Sequence, residues 1–167
     1  MRKSLIVAGG VAAILLFLAA VPFHTVLSLS LAKTGDPVLY AWIKPNQEFI
    51  LKFIHSVNKR PVSDYIRVED QHFVVVKSVY DSFGAGMPET SIDGMELKFN
   101  AQGQLELTNI NRRLDKFTVF VGTVAEHSLI INDQEIYLAE LAAPGKGLQF
   151  EITKISYYEL WKGRCLN

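Results

Sequence analysis

Two short runs of the sequence hold residue types that could bind or activate a substrate. The first reads HSVNKRPVSD at residues 55–64, and the second reads SFGAGMP at residues 82–88. Histidine and carboxylate side chains can act as general acids or bases, and a serine beside a base can act as a nucleophile. Glycines accept backbone conformations closed to other residues and allow close approach of a ligand. The two runs therefore indicate a binding or catalytic site, provided that the fold brings them together.

The predicted ligand- or partner-binding residues come from both runs. They are His55, Ser56, Arg60, Asp64, Ser82, Gly84, Gly86 and Met87. Successive N–H groups in a glycine-containing loop can hold an anion, so a small anionic solute is one expected ligand. A structural interpretation stands beside the functional one. A histidine on an apolar face can be a hydrogen-bonded core residue, and Gly-x-Gly after a strand can be a tight turn.

A small extracytoplasmic hydrolase is the alternative function, with His55 acting together with Ser82 or Asp64. Two features of the sequence disfavour an enzyme. Adjacent residues on a strand, such as His55 and Ser56, point to opposite faces of the sheet. Ser82 lies in DSFGAG, which differs from the Gly-x-Ser-x-Gly turn that positions a nucleophile before a helix.

Other chemistries find little support in the residues. The histidines are scattered over positions 24, 55, 72 and 127, and Cys165 is the single cysteine, so no metal site is predicted. GAGMPE lacks the third glycine of a dinucleotide loop, and no cofactor is expected. The chain has 17 basic and 17 acidic residues, which disfavours the concentrated basic surface of a nucleic-acid-binding protein.

The segment between the two runs explains their spacing. Residues 62–69 and 72–80 have the composition of two strands joined by the short turn EDQH, which predicts a hairpin. A further strand is predicted at residues 47–57, before the loop NKRP. Three strands running up, down and up place both loops at the same end of the sheet. The sequence therefore predicts that the two chemistry-bearing runs meet there.

Period-two alternation predicts the fold class. In LQFEIT, for example, Leu148, Phe150 and Ile152 alternate with polar residues, as in a half-buried strand. Turn residues recur along residues 26–167, which predicts an all-β fold, an antiparallel β-sandwich or barrel of about 8–10 strands. The β-branched and apolar run at residues 117–124 predicts a central strand. NRRLDK, at residues 111–116, is compatible with a helical turn or a charged loop.

The N-terminus predicts export and attachment to a membrane. Arg2 and Lys3 precede an uncharged apolar run at residues 5–21, about 26 Å long as a helix, near the lower limit for crossing a hydrocarbon core. We expect one N-terminal hydrophobic helix within residues 1–24, as a membrane anchor or signal segment, and an exported domain at residues 25–167. The basic residues favour a cytoplasmic N-terminus. A single-pass anchor is favoured over a cleaved signal, which would give a secreted protein, because the cleavage signal is weak.

The stretch FIHSVNKRPVSDYIRVEDQHFVVVKSVYDSFGAGMP resembles the core motif of the domain-of-unknown-function family eighteen-fifty. The matching positions are His55, Ser56, Val57, Pro61, Asp64, Tyr65, Ser82, Gly84, Ala85, Gly86, Met87 and Pro88. The acidic position is usually glutamate in that family and is Asp64 here. The resemblance implies a small exported or membrane-anchored protein without an assigned catalytic activity, often encoded beside TAXI-type TRAP transporters. It thus implies an accessory or binding protein whose partner is the transporter or its solute-binding protein.

Overall fold

The computed structural model describes Gly10, Phe17 and residues 19–84, 86–162 and 165–166. Nearly all regular structure in these residues is β. The strands are β1 (His24–Leu31), β2 (Pro37–Trp42), β3 (Glu48–Ile54), β4 (Pro61–Glu69), β5 (His72–Tyr80), β6 (Glu96–Phe99), β7 (Leu105–Leu114), β8 (Lys116–Phe120), β9 (Ser128–Ile131), β10 (Gln134–Tyr137), β11 (Gly147–Ile155) and β12 (Cys165–Leu166). A 3-10 turn (Leu138–Glu140) and one short helix, α1 (Tyr157–Lys162), follow β10 and β11.

The described strands form two open sheets and no closed barrel. One sheet has five strands in the order β12-β2-β1-β11-β8, and the other has seven in the order β10-β9-β3-β4-β5-β7-β6. Neighbours are antiparallel except β12 and β2. The predicted all-β class is confirmed, whereas the expected number of strands was too low. Four strands have only two to four residues, which is too short for alternation to be read from sequence.

Aromatic side chains join the two sheets through the core. Phe49 and Phe73, on the seven-stranded sheet, meet edge to face with ring centroids 5.8 Å apart. Phe73 in turn contacts Phe117 on the five-stranded sheet at 5.0 Å, and Phe117 stacks on Phe150 at 4.7 Å. Such pairs add to the stabilisation that burial provides. The alternation predicted around Phe150 is confirmed, because that side chain is fully buried between the sheets.

Two local predictions were wrong. The run at residues 117–124 was expected to be a central strand, but β8 pairs only with β11 at the edge of its sheet. Its outward residue Phe120 is 68% exposed, while the inward Val119 is buried. Residues 111–116 were expected to be a helical turn or a charged loop. Most of them belong to β7, whose pairing with β5 recruits charged residues such as Arg113 into the ladder.

The strand β1 starts at one end of the sandwich. There His24 lies opposite Ile155, and Val26 lies opposite Trp42. The side chain of Asn132, on the other sheet, donates a hydrogen bond to the Trp42 carbonyl oxygen at 3.0 Å. We call this edge of the molecule the N-terminal end.

The opposite end is reached where β1 finishes, at the pairing of Leu31 with Leu148. Residues 121–127 cross there from one sheet to the other. The Ala125 carbonyl oxygen accepts a hydrogen bond of 2.7 Å from the backbone N–H of Ile54, the last residue of β3. The first half of β3 therefore lies towards the N-terminal end, and its last residues lie at the opposite end.

The predicted N-terminal hydrophobic helix and the anchor assigned to residues 1–24 lie mostly outside the described residues, so both stay predictions. Within the described part of the chain, no helix combines the length and apolar character needed to cross a membrane. The first described strand, β1, begins at His24.

The helix α1 begins with a capping box that the strand-based interpretation overlooked. Ser156 Oγ accepts a hydrogen bond from the backbone N–H of Glu159, and the Glu159 carboxylate accepts one of 2.8 Å from the backbone N–H of Ser156. The sequence SYYE carries this signature. Leu160 packs against Val26 and Ile155, which holds α1 against the outer face of the five-stranded sheet at the N-terminal end.

Replacing Ser156 with alanine is expected to lower the free energy of unfolding by about 1 kcal/mol, because it removes the cap. Urea denaturation of the wild type and Ser156→Ala measures this difference. Ser30→Ala, on β1 and away from α1, is the control. Equal losses in the two variants would show that the capping box contributes nothing specific.

Candidate functional site

The three-strand meander that joins the two chemistry-bearing runs is present. Ile54, the last residue of β3, pairs with Pro61, the first residue of β4. Val62, near the start of β4, pairs with Tyr80, the last residue of β5. The chain therefore leaves the sheet twice at the same end, opposite the N-terminal end. We call residues 55–60 the first loop, residues 81–88 the second loop, and both together the paired loops.

An ion pair joins the paired loops. The Arg60 guanidinium donates to both carboxylate oxygens of Asp81, from Nε at 3.0 Å and from Nη2 at 2.6 Å. A two-point contact of this kind fixes orientation as well as distance. The hydrogen bonds to Asp81 raise the pKa of Arg60, which stays charged. Because the Arg60 side chain is 56% exposed, solvent screens the attraction, and the pair positions the loops more than it stabilises the fold.

A close approach of the second loop to the first occurs at Gly84. A Cβ atom at this position would lie 2.9 Å from Asn58 Nδ2 and 3.3 Å from Asn58 Cβ. The Asn58 side chain is itself held, because its Oδ1 accepts a hydrogen bond of 3.2 Å from the Arg60 N–H. Gly86 differs: its φ is 85°, and nothing lies within 4 Å of an added Cβ. Position 86 thus favours glycine because of its positive φ. Position 84 favours glycine because a side chain there would collide with Asn58.

His55 lies in the first loop and not on the core-facing strand predicted for residues 47–57. Its Nδ1 accepts long hydrogen bonds from the backbone N–H groups of Val57 and Asn58, at 3.3 and 3.5 Å. The strand β3 ends at Ile54, and Val57, expected on the core face, is 64% exposed. The turn begins at His55, whose backbone N–H donates to the Arg60 carbonyl oxygen at 2.8 Å and whose carbonyl oxygen accepts from the Lys59 N–H at 3.0 Å.

The serines of the paired loops are not joined to His55. Ser56 is exposed, and the Ser82 hydroxyl donates to the Phe83 carbonyl oxygen at 3.0 Å. No hydrogen bond between described residues connects the His55 ring with a serine hydroxyl or with Asp64. The geometry that nucleophilic catalysis requires, a nucleophile within hydrogen-bond distance of a base, is not formed by these residues.

Asp64 lies in the body of β4, three residues beyond Pro61, with Leu51 and Ser78 opposite on the neighbouring strands. Its carboxylate accepts a hydrogen bond of 2.7 Å from the Ser78 hydroxyl. Burial raises the pKa of Asp64, and the bond from Ser78 opposes that shift only in part. Asp64 therefore lies farther from the loop tips than His55 and Arg60, and its hydrogen-bond partner Ser78 belongs to the sheet.

A small apolar cluster supports the second loop from below. Val62, Tyr80, Leu105 and Leu107 are buried in it, and Met87 packs against it. The Tyr80 hydroxyl donates a hydrogen bond of 2.7 Å to the Pro88 carbonyl oxygen. These contacts hold the end of the second loop on the sheet. The side chain of Met87 thus has a packing role.

The outer surface of the paired loops is apolar in several places. Val57 is 64% exposed in the first loop, and Phe83 is 44% exposed in the second. Residues 121–127 form a third loop beside them and carry Val124, which is 55% exposed. The loops at this end thus combine exposed apolar side chains with the Arg60–Asp81 ion pair.

The pairing of Val62 with Tyr80 places Arg60 close to Asp81, so their contact follows from the strand register. One residue at this end, His127, was absent from the predicted site. His127 has no comparable signal in the sequence. Its ring lies 5.8 Å from that of Phe53, its Nδ1 is buried without a hydrogen-bond partner among the described residues, and burial lowers its pKa.

The contact between the loops predicts that the stability cost of a substitution at Gly84 depends on which residue occupies position 58. Gly84→Ala should destabilise the wild type but cost less in an Asn58→Ala background, where the nearest atom is gone. Residues in contact typically couple by about 0.5–3 kcal/mol. Urea denaturation of the four proteins measures the coupling. Gly35→Ala, at φ 77° with nothing within 4 Å, should cost the same whatever residue 58 is. Zero coupling for Gly84 would contradict the described loop contact.

Asp64→Asn is expected to stabilise the protein at pH 7. A folded-state pKa above the unfolded value of about 3.9 means that the native state favours the protonated form. The protonated Asp64 side chain therefore contributes its full share of the free energy of unfolding below about pH 4. This share is lost as pH rises through the folded-state pKa. The advantage of Asp64→Asn should therefore be present at pH 7 and shrink towards pH 4.

Urea midpoints at both pH values test this expectation, with the exposed Asp93→Asn as the control. A less stable Asp64→Asn at pH 7 would show that the Asp64 carboxylate has a favourable partner when it is charged.

Comparisons with known proteins identify a family and no function. The described residues contain no group of three or more histidine, cysteine or acidic side chains placed to hold a metal ion. No curated protein and no solved structure was found to match the chain. A family described as a domain of unknown function, DUF1850, matches residues 49–138. This match spans β3 to the 3-10 turn and includes the paired loops. Because it covers more than half of the sequence, the chain belongs to the DUF1850 family.

Proposed function

We propose that the protein is an extracytoplasmic accessory or binding protein, anchored in the membrane by residues 1–24, and that the paired loops contact its partner. The observation that carries this proposal is the combination found at the loops. The Arg60–Asp81 ion pair holds them together, and they display Val57 and Phe83 to solvent. A pre-organised backbone with exposed apolar side chains lowers the entropic cost of binding a protein.

A binding role agrees better with this geometry than a hydrolase does. The Nδ1 atom of His55 is occupied by backbone N–H groups of its own turn. The Ser82 hydroxyl is directed to a neighbouring carbonyl oxygen. Asp64 is bound by Ser78 within the sheet. The residues proposed for catalysis thus have structural partners in their own turns or in a neighbouring strand.

The family resemblance and the placement of the loops favour one partner. The resemblance implies a TAXI-type TRAP transporter or its solute-binding protein. The paired loops lie at the end of the sandwich opposite His24, about 25 Å away for a strand the length of β1. In an anchored protein they point away from the membrane, so the solute-binding protein is the favoured partner. A small anionic solute is less favoured, because the charge of Arg60 is already matched by Asp81.

Site-specific cross-linking tests this proposal in cells that produce both the chain and the transporter system. A photo-reactive amino acid placed at Val57 or Phe83 should cross-link the solute-binding protein. The same amino acid at Gln71, exposed in the turn between β4 and β5 at the N-terminal end, should not. Mass spectrometry identifies the captured proteins.

Substitution supplies the matched test of affinity. Val57→Ser with Phe83→Ser should reduce co-purification of the solute-binding protein at least about tenfold, as expected for losing apolar anchors at an interface. Gln71→Ser, at the opposite end of the sheet, should leave it unchanged, and the melting temperatures should agree. Cross-links confined to membrane subunits, or unchanged co-purification after the double substitution, would contradict the proposed partner surface.

A further inference from the structure

Aromatic side chains collect at the N-terminal end of the sandwich. Phe23 is 51% exposed just before β1, and Tyr157 and Tyr158 are 57% and 53% exposed at the start of α1. Trp42 lies partly buried beside them at the end of β2. These residues come from three separate segments of the chain. The fold has therefore brought together aromatic residues that are distant in sequence and left large parts of them in contact with solvent.

The cluster is packed and held in place. The ring of His24 lies edge-on to Trp42 at 4.9 Å, to Tyr157 at 4.4 Å and to Phe23 at 6.5 Å. The buried Ser156 and its capping partner Glu159 fix the first turn of α1, where both tyrosines lie. The rings are thus displayed from a fixed backbone.

The position of the cluster along the chain indicates what covers it. The apolar run ends at Val21, two residues before Phe23, so at most about 7 Å of extended chain separates them. If that run is anchored in a bilayer, this end of the sandwich lies at the membrane–water interface. Tyrosine and tryptophan are enriched at that depth, because their rings are apolar while their polar atoms reach water. The exposed Lys154 adds attraction to anionic headgroups.

We propose that Phe23, Trp42, Tyr157 and Tyr158 form a membrane-seating surface that rests in the lipid headgroup region of the bilayer. This inference rests on the proposed anchor and goes beyond it: the folded domain contacts lipid directly and does not hang on a free tether. Contact at the membrane-seating surface fixes the orientation of the sandwich relative to the membrane. The paired loops are then held about 25 Å from the membrane, along strands that rise about 3.3 Å per residue.

Fluorescence quenching by labelled lipids tests the seat in the full-length protein, reconstituted into phosphatidylcholine and phosphatidylglycerol bilayers. The chain has two tryptophans, and Trp161→Phe leaves Trp42 as the only one. A spin label on the lipid headgroup should quench Trp42 at least about twofold more strongly than a label at the acyl-chain centre, because the aromatic belt lies at headgroup depth.

Substitutions show whether the aromatic surface causes the contact. Phe23→Ser with Tyr157→Ser and Tyr158→Ser should reduce headgroup quenching of Trp42, with circular dichroism verifying the fold. Phe99→Ser with Phe120→Ser, at two positions that are each 68% exposed on strands away from this end, should leave it unchanged. Should the triple variant unfold, Phe23→Ser alone should still weaken quenching.

The outcomes separate the seat from the anchor. Protein that stays in washed membranes while Trp42 is quenched only by a soluble reagent would overturn the seat and leave the anchor intact. Protein released from membranes by the wash would overturn both. Quenching unaffected by the triple variant would show that these aromatic residues do not cause the lipid contact, and would overturn the proposal.

Discussion

The register of three neighbouring antiparallel strands is the constraint on which the candidate site depends. Because Ile54 lies opposite Pro61 and Val62 lies opposite Tyr80, the first and second loops leave the sheet side by side. A shift of one residue would turn every side chain of a strand to the other face. The ion pair between Arg60 and Asp81 would then lose its geometry. Apolar burial of the inward residues therefore sets the positions of polar groups at the loop end.

The sequence was sufficient for this part of the fold because the relevant signals are local. EDQH is short enough to force a hairpin, and alternation selects the buried face of each strand. It was insufficient where the outcome depends on neighbours distant in the chain. An edge strand such as β8 has the composition of a central one, since its partners are not encoded nearby. His55 was misplaced because alternation does not reveal where β3 stops and a turn begins.

The polar residues of the predicted site divide into two structural groups. His55 and Arg60 shape the paired loops, through bonds to turn N–H groups and to Asp81. Asp64 lies within the sheet, where it accepts a hydrogen bond from Ser78, a residue outside the predicted site. Spacing in the sequence could not separate these groups, because Asp64 follows Arg60 by only four residues. The strand β4 begins between them, and its rise carries Asp64 about 10 Å from the loop.

The two ends of the sandwich place different demands on the same chain. At the paired loops, an exposed ion pair contributes little to stability because water screens it, yet its two-point geometry fixes how the two loops lie relative to each other. At the N-terminal end, the exposed aromatic rings are supported by Ser156, which is 3% exposed, and by packing of Leu160. In the proposed contact with lipid, these rings lie in the headgroup region, where tyrosine and tryptophan are enriched. Opposite placement of the two surfaces follows from β1, which begins beside the aromatic residues and runs towards the loop end.

Under the proposed anchoring, a protein fixed to the membrane at one end of a rigid sheet can present a binding surface at a constant height above the bilayer. A flexible tether would lose that advantage, because each binding event would have to restrict the domain's orientation.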